Sequence, residues 1–86
     1  MYNVVIKPRA EKELFRMSDK DLERVRQKIE ELGSTPRPFG VSQLKTKDSY
    51  RIRVGNFRVI YSINDDRKMV VILNVLRRNE RTYKGL

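Results

Sequence analysis

The sequence predicts a small α+β domain of the order β-α-α-β-β-β, with a helical hairpin packed on one face of a small, mainly antiparallel sheet and a basic C-terminal tail. Three patterns lead to this fold class: apolar and charged residues alternate in segment 50–61, apolar residues recur at helical spacing in segment 9–32, and segment 69–76 is almost entirely apolar. Because 86 residues suit one domain, we treat residues 1–86 as a single unit.

A short strand is predicted at residues 2–7, YNVVIK. Its alternation puts Tyr2, Val4 and Ile6 on one face. Pro8 ends the strand, because proline lacks the amide hydrogen that a sheet ladder needs, and it suits the first turn of a following helix.

Two helices are predicted next, the first over residues 9–17 and the second from the Ser18 N-cap to about residue 32. Asp21 follows the cap by three residues, and Gly33 fits the C′ position. The apolar faces consist of Ala10, Leu14, Phe15 and Met17 in the first helix and of Leu22, Val25, Ile29 and Leu32 in the second. We interpret the pair as a cover for the sheet rather than a DNA-reading helix-turn-helix, since the exposed face of the second helix is nearly charge-balanced.

Residues 50–61, YRIRVGNFRVIY, predict a β-hairpin with the Gly-Asn pair at 55–56 in its turn. Such a turn makes Arg53 face Arg58 across the two strands. One face then carries Tyr50, Ile52, Val54, Phe57, Val59 and Tyr61, and the other carries Arg51, Arg53 and Arg58. Because like charges directly opposite each other destabilise a sheet, we interpret the arginine face as a binding surface for an anion.

A loop precedes the hairpin and an apolar strand follows it. The loop, residues 34–43, is broken by Pro36, Pro38 and Gly40. After the hairpin, residues 64–67 predict a turn, and the apolar segment 69–76 predicts a strand in the middle of the sheet. We interpret Asp65 and Asp66 as turn-forming residues rather than ligands of a hard cation.

Positive charge is concentrated in the second half of the chain. The net charge is +9; residues 1–36 contribute +1 and residues 37–86 contribute +8. The basic half contains the arginine face, the tail, and two lysines near the open end of the hairpin, Lys45 and Lys47. This distribution predicts a surface that binds a polyanion.

Composition excludes several kinds of chemistry. Without histidine or cysteine, the chain cannot form an ordinary zinc site or use a thiol nucleophile, and it has no phosphate-binding glycine loop or serine nucleophile motif. We therefore expect no metal and no small-molecule cofactor. The first residues do not look like a secretory signal, and the longest apolar run, residues 69–73, is too short to span a membrane, so we expect a soluble protein of the reducing cytoplasm.

The arginine face and the tail are suited to RNA. Guanidinium groups hold phosphate through paired hydrogen bonds, and Tyr83 can stack on a base. The same groups can promote cleavage without a metal if the 2′-hydroxyl attacks the adjacent phosphate and another group moves the protons. Arginine is a poor base, so the titrating groups left for this role are Lys45, Lys47, Glu80 and Tyr83.

The segment YRIRVGNFRVIYSI, followed by a strand and then by RRNERTY, resembles the RelE branch of the RelE/ParE toxin superfamily over nearly the whole chain. The resemblance implies the toxin of a toxin–antitoxin pair, which a RelB-like antitoxin wraps and holds inactive; the basic face of this chain predicts that the antitoxin is acidic. RelE-type members are mRNA endoribonucleases that cut in the ribosomal A site. The ribosome and mRNA are therefore the other partners that it implies.

Residue by residue, the resemblance implies a catalytic set made of Arg51, Arg53, Arg58, Arg78 and Tyr83. Arg58 corresponds to the hairpin arginine that contacts phosphate, Arg78 to the arginine after the last strand, and Tyr83 to the tail tyrosine that stacks on the substrate. The remaining positive residues near these positions are the expected RNA contacts: Lys45, Lys47, Arg77, Arg81 and Lys84.

Two positions depart from the family pattern. Arg51 and Arg53 stand where a RelE pattern has lysines, and the pair Arg77-Arg78 stands where many relatives have His-Arg. Phosphate binding tolerates both changes, whereas the general base is left unidentified. Two other functions remain open: a ParE-like inhibitor that binds DNA gyrase without cutting RNA, and a catalytically weak relative that only binds the ribosome or the antitoxin. The arginine–tyrosine set favours the RelE function.

Overall fold

The computed structural model describes residues 1–45 and 48–77. Its elements, in chain order, are β1 (Asn3–Ile6), α1 (Pro8–Phe15), α2 (Asp19–Ser34), β2 (Ser42–Gln43), β3 (Ser49–Val54), β4 (Phe57–Asn64) and β5 (Met69–Arg77). Within these residues the strands form one sheet of the order β1-β5-β4-β3-β2, in which β1 and β5 run parallel and the other neighbours run antiparallel. The predicted α+β fold is confirmed.

Both helices pack on the same face of the sheet, which we call the inner face. The buried cluster joins Ala10 and Leu14 of α1, Val25, Ile29 and Leu32 of α2, and the inner residues of the strands, with Tyr2, Val4, Ile6, Met17 and Leu22 packed against it. Ser18 caps α2 as predicted, since its Oγ accepts a hydrogen bond from the Asp21 amide at 3.3 Å. In the part of the chain that the structure describes, no helix is long and apolar enough to cross a membrane.

Two predictions for the helices are wrong. Phe15 does not widen the apolar face of α1, because it is 79% exposed at the C-terminal end of that helix, about 100° around the axis from buried Leu14. Gly33 is not the C′ residue, because α2 continues to Ser34.

Gly33 instead lets β1 approach the helix closely. Its carbonyl accepts a hydrogen bond from the Tyr2 amide at 2.8 Å. A Cβ atom at this position would lie 3.1 Å from the Tyr2 carbonyl oxygen and 3.2 Å from Cγ2 of Val4. Glycine is therefore selected here for lack of space, not for a positive φ angle.

The β3–β4 hairpin has the predicted register. Val54 pairs with Phe57 and Arg53 pairs with Arg58, across a turn in which Gly55 has φ +58°. A positive φ at the first central position is what a type II′ turn requires, and glycine adopts it without strain.

Two features of the sheet were not predicted. The loop 34–43 ends in β2, where Ser42 pairs with Arg51. In β5 the register shifts: Tyr61 of β4 pairs with Ile72 but Ile60 pairs with Asn74, so Leu73 is an extra residue, a β-bulge. Beyond the bulge the side chains of β5 change faces relative to a regular strand.

Candidate functional site: an arginine hollow on the sheet

Three arginines of the β3–β4 hairpin lie together on the face of the sheet opposite the helices, the outer face. With Gly40 and Ser42 they line a hollow of about 240 Å³; its residues are Gly40, Ser42, Arg51, Arg53 and Arg58, and we call it the arginine hollow. The predicted grouping of the three arginines on one surface is thus what the structure contains.

The sheet fixes the backbone of each arginine. Arg51 lies between Ser42 of β2 and Ile60 of β4, and Arg53 pairs with Arg58. Ile60 is only 3% exposed although it is on the outer face, and Arg51 and Arg58 are half-buried whereas Arg53 is exposed. The outer face is therefore partly covered around Ile60, and the sheet beneath the three arginines is well packed.

The chemistry of the hollow is that of an anion site. Among the described residues, its lining consists of three cationic side chains, one serine and one glycine, with no carboxylate. The guanidinium fork matches the geometry of phosphate oxygens and stays protonated at any physiological pH. Three such groups in one concavity can bind a phosphate and the negative charge that develops on it during a reaction.

A hydrogen-bonded network secures the loop that supplies Gly40 and Ser42. Arg37 donates two hydrogen bonds to the Asp65 carboxylate, from Nη2 to Oδ2 at 3.0 Å and from Nη1 to Oδ1 at 3.3 Å, and a third from Nε to the Tyr50 hydroxyl at 3.1 Å. The Tyr2 hydroxyl donates to Asp65 Oδ1 at 2.6 Å, and the Tyr61 hydroxyl donates to the Pro36 carbonyl at 2.7 Å. The loop is thus tied to the β4–β5 turn and to the stacked Tyr50 and Tyr61 rings, whose centroids are 5.8 Å apart.

These contacts shift the pKa values of the groups involved. Hydrogen bonds from Arg37 first, and then from Tyr2, hold the pKa of Asp65 below its ordinary value. The hydrogen bond to Asp65 raises the pKa of Tyr2, and burial raises the pKa of Tyr61. Asp65 is therefore an ionised partner of Arg37 at neutral pH.

The remaining predicted site residues are not in the hollow or are not described. Lys45 is exposed and is not among the lining residues. Arg77 lies on the inner face, where its guanidinium carbon is 5.4 Å from the centre of the Phe57 ring, because the bulge at Leu73 changed the face of the strand end. The predictions for Lys47, Arg78, Glu80, Arg81, Tyr83 and Lys84 lie outside the described residues.

Sequence reasoning missed three residues that shape this region: Arg37, Gly40 and Ser42. Arg37 and Asp65 are 28 positions apart, and no local pattern links them. The Pro-Arg-Pro-Phe-Gly stretch at 36–40 does signal a tight turn, and the polar Ser42 follows Val41, which packs against the core. A short strand could have been inferred there from the contrast between these two neighbours.

The fold and the hollow together define a class: a small basic α+β protein whose sheet presents clustered arginines suited to a phosphate. The chain also matches known proteins in sequence. A sequence model described as the ParE toxin of the type II toxin–antitoxin system parDE matches residues 4–82. A protein of Methanocaldococcus jannaschii with the provisional designation toxin RelE1 is 36% identical over an alignment of 88 positions, gaps included, which covers 98% of this chain and 97% of the relative.

Solved structures with the same fold come from archaea and bacteria. The archaeal RelE–RelB complex from Pyrococcus horikoshii contains a chain that matches with a TM-score of 0.82 and 33% identity, over 92% of this chain and 97% of that chain. The toxin–antitoxin complex RelBE2 from Mycobacterium tuberculosis contains one that matches with a TM-score of 0.79 and 26% identity, over 90% of this chain and 98% of that chain. The chain described above belongs to the RelE/ParE toxin family of type II toxin–antitoxin systems.

Proposed function

We propose that this toxin is a ribosome-dependent mRNA endoribonuclease that inhibits translation by metal-independent cleavage in the A site. The observation that carries the proposal is the convergence of Arg51, Arg53 and Arg58 on one hollow. Clustered guanidinium groups supply the positive charge that phosphoryl chemistry requires, so the proposed reaction needs no metal ion. The proposed action on ribosomes makes the cytoplasm its site of action.

In the proposed reaction the 2′-hydroxyl oxygen of a ribose attacks the adjacent phosphorus while the bond to the 5′-oxygen of the next nucleotide breaks. The 2′-hydroxyl loses its proton to solvent and the departing 5′-oxygen takes one up from solvent, so the products are a 2′,3′-cyclic phosphate and a free 5′-hydroxyl. The hollow holds the phosphate and stabilises the charge that develops on its oxygens. Arg78 and Tyr83 complete the proposed catalytic set, and Lys45, Lys47, Arg81 and Lys84 are proposed as further RNA contacts.

Proton transfer in this mechanism does not depend on histidine, because the chain has none. We expect no pH dependence of the cleavage rate centred near the ordinary histidine pKa of about 6.5. We propose that the arginines act by positioning and by charge, so single changes at Lys45, Lys47, Glu80 and Tyr83 should each leave the shape of the profile intact. A variant that abolished one limb of the profile while keeping affinity for the ribosome would identify that residue as the base.

The proposed partner in the resting state is an acidic, RelB-like antitoxin. Two observations support it: the charge of +8 on residues 37–86, and the RelE–RelB and RelBE2 complexes among the matching structures. Since exposed charge steers association, the association rate should fall as salt rises. An association rate that did not change with ionic strength would contradict electrostatic attraction between the antitoxin and the basic residues of segment 37–86.

The deciding experiment is in vitro translation followed by primer extension on the mRNA, with the free toxin added. Cuts that appear only when ribosomes occupy the message support the proposal. The ParE description of the matching family keeps gyrase inhibition as the second candidate. Inhibition of gyrase-driven supercoiling, in the absence of mRNA cuts, would establish that candidate and overturn ours.

A further inference from the structure

We propose that Phe39 is an RNA-stacking residue, on which a base of the RNA held by the arginine hollow lies. This inference rests on the proposed function, since it names a contact for the same substrate. It starts from the position of one aromatic side chain: Phe39 is fully exposed to solvent, whereas Tyr50, Phe57 and Tyr61 are buried in the core.

Phe39 occupies the tip of a tight turn. The Val41 amide donates a hydrogen bond to the Pro38 carbonyl at 3.2 Å, and Gly40 has φ +92°. A positive φ at the third of four residues is the mark of a type II turn, which glycine adopts without strain. Phe39 is therefore the second residue of this turn, and its side chain extends from the corner.

Both ends of the turn are secured, so the exposed ring has a fixed base. On one side, Arg37 is bound to Asp65 and Tyr50, and the Pro36 carbonyl accepts the Tyr61 hydroxyl. On the other side, Val41 packs against the core and Ser42 pairs with Arg51. A side chain held in this way loses little backbone entropy when a ligand binds.

The turn lies at the rim of the arginine hollow. Gly40 and Ser42, one and three positions after Phe39, both line the hollow, and successive Cα atoms are about 3.8 Å apart. A nucleotide whose phosphate is bound by the arginines thus has its base within reach of the Phe39 ring. Phosphate-binding cations beside an exposed aromatic ring are the combination that proteins use to bind single-stranded nucleic acid.

The chain offers a matched control. Phe15 is also a largely exposed phenylalanine, but it lies at the end of α1, the helix that packs on the inner face. Neither ring contributes to the core, so substitution of either should leave the melting temperature unchanged. A difference between the two variants in RNA binding or cleavage therefore reports the position of the ring and not its hydrophobicity.

The test compares Phe39→Ala, Phe39→Leu, Phe39→Trp and Phe15→Ala with the wild-type toxin. The first readout is single-turnover cleavage on programmed ribosomes. The second is quenching of 2-aminopurine placed in the A-site codon of the mRNA on the same programmed ribosomes, with the mRNA made uncleavable there by 2′-O-methylation. Because stacking of one base strengthens binding roughly 5- to 150-fold, Phe39→Ala should lose cleavage rate and RNA affinity within that range and should no longer quench the probe. Phe39→Trp should retain both, Phe39→Leu should lose them, and Phe15→Ala should match the wild type.

Three outcomes would overturn the inference while the proposed function stands: a wild-type cleavage rate in Phe39→Ala, full recovery in Phe39→Leu, or a defect confined to antitoxin binding. The last two would identify the ring as an apolar contact for a protein. If the wild-type toxin neither cleaves nor binds RNA, the proposed function fails and this inference fails with it.

Discussion

The two faces of the β3–β4 hairpin are built from alternating residues of the same two strands, yet they differ in almost every physical respect. The inner residues, from Tyr50 to Tyr61, are at most 7% exposed and belong to the main buried cluster. The outer face carries three arginines around a hollow. Because neighbouring positions lie on opposite sides of the sheet, a single step along the chain separates a residue buried in the core from one that lines the arginine hollow.

The largest effect is expected on the inner face, from Ile52→Ala. Ile52 is 4% exposed, and removing a buried isoleucine side chain costs about 2–5 kcal/mol of unfolding free energy. Urea denaturation measures the loss, and the cleavage rate per folded molecule should stay at the wild-type level. Ile52→Val, which removes one methylene, is the graded control and should cost about 0.5–1.5 kcal/mol. An alanine variant as stable as the wild type would show that this face does not hold the sheet together.

The matching change on the outer face is Arg58→Ala. Loss of one group that stabilises the charged transition state should raise the barrier by about 2–4 kcal/mol, which lowers the cleavage rate roughly 30- to 1000-fold. The unfolding free energy should change far less than in Ile52→Ala, since the substitution leaves the buried cluster intact.

Arg9→Ala is the control for Arg58→Ala, because Arg9 is an exposed arginine on α1. Ribosome-dependent cleavage and thermal melting, measured on both variants, decide the outcome. Full activity in Arg58→Ala, or melting far below the wild type, would remove Arg58 from the proposed site.

The smallest effect concerns the salt bridge between Arg37 and Asp65, which ties the loop that contains Arg37 to the β4–β5 turn. The folded pKa of Asp65 is below its ordinary value of about 3.9, so its stabilising contribution is present above that value and is lost as pH falls through the lower folded pKa. The effect should be modest because the two side chains are 42% and 54% exposed. Urea midpoints of the wild type and Asp65→Asn should differ at neutral pH and converge in acid. A difference that persisted at low pH would mean that the bridge does not account for it.

The hairpin could be predicted in full because its signals are local. A glycine turn and alternating side chains determine which residues face each other, and so they placed Arg53 opposite Arg58. The helix cap at Ser18 is local in the same sense. In each case the interacting groups lie within a few positions of one another, and propensity and spacing are enough to identify them.

The features that the sequence did not reveal depend on residues far apart. Gly33 is required because Tyr2 and Val4 approach it closely. The preference for glycine after the end of a helix, which led to the C′ prediction, contains no information on such a distant contact. The bulge at Leu73 turns Arg77 towards Phe57. Nothing in the sequence of this apolar strand indicates that it contains a bulge. The part of the candidate site that the sequence predicts best is therefore the set of arginines on the hairpin itself. The roles of Arg78 and Tyr83 remain predictions.

The parallel pairing of β1 with β5 has a consequence for how the toxin is made. Asn3 pairs with Met69, so β1 cannot pair until a segment 66 positions behind it has been synthesised. Contacts so distant in sequence form late, and they make folding slow compared with helical hairpins. Until β5 is synthesised, β4 also lacks its neighbour on that side. A nascent chain that lacks β5 therefore contains the arginines of the hairpin but not the complete sheet that presents them.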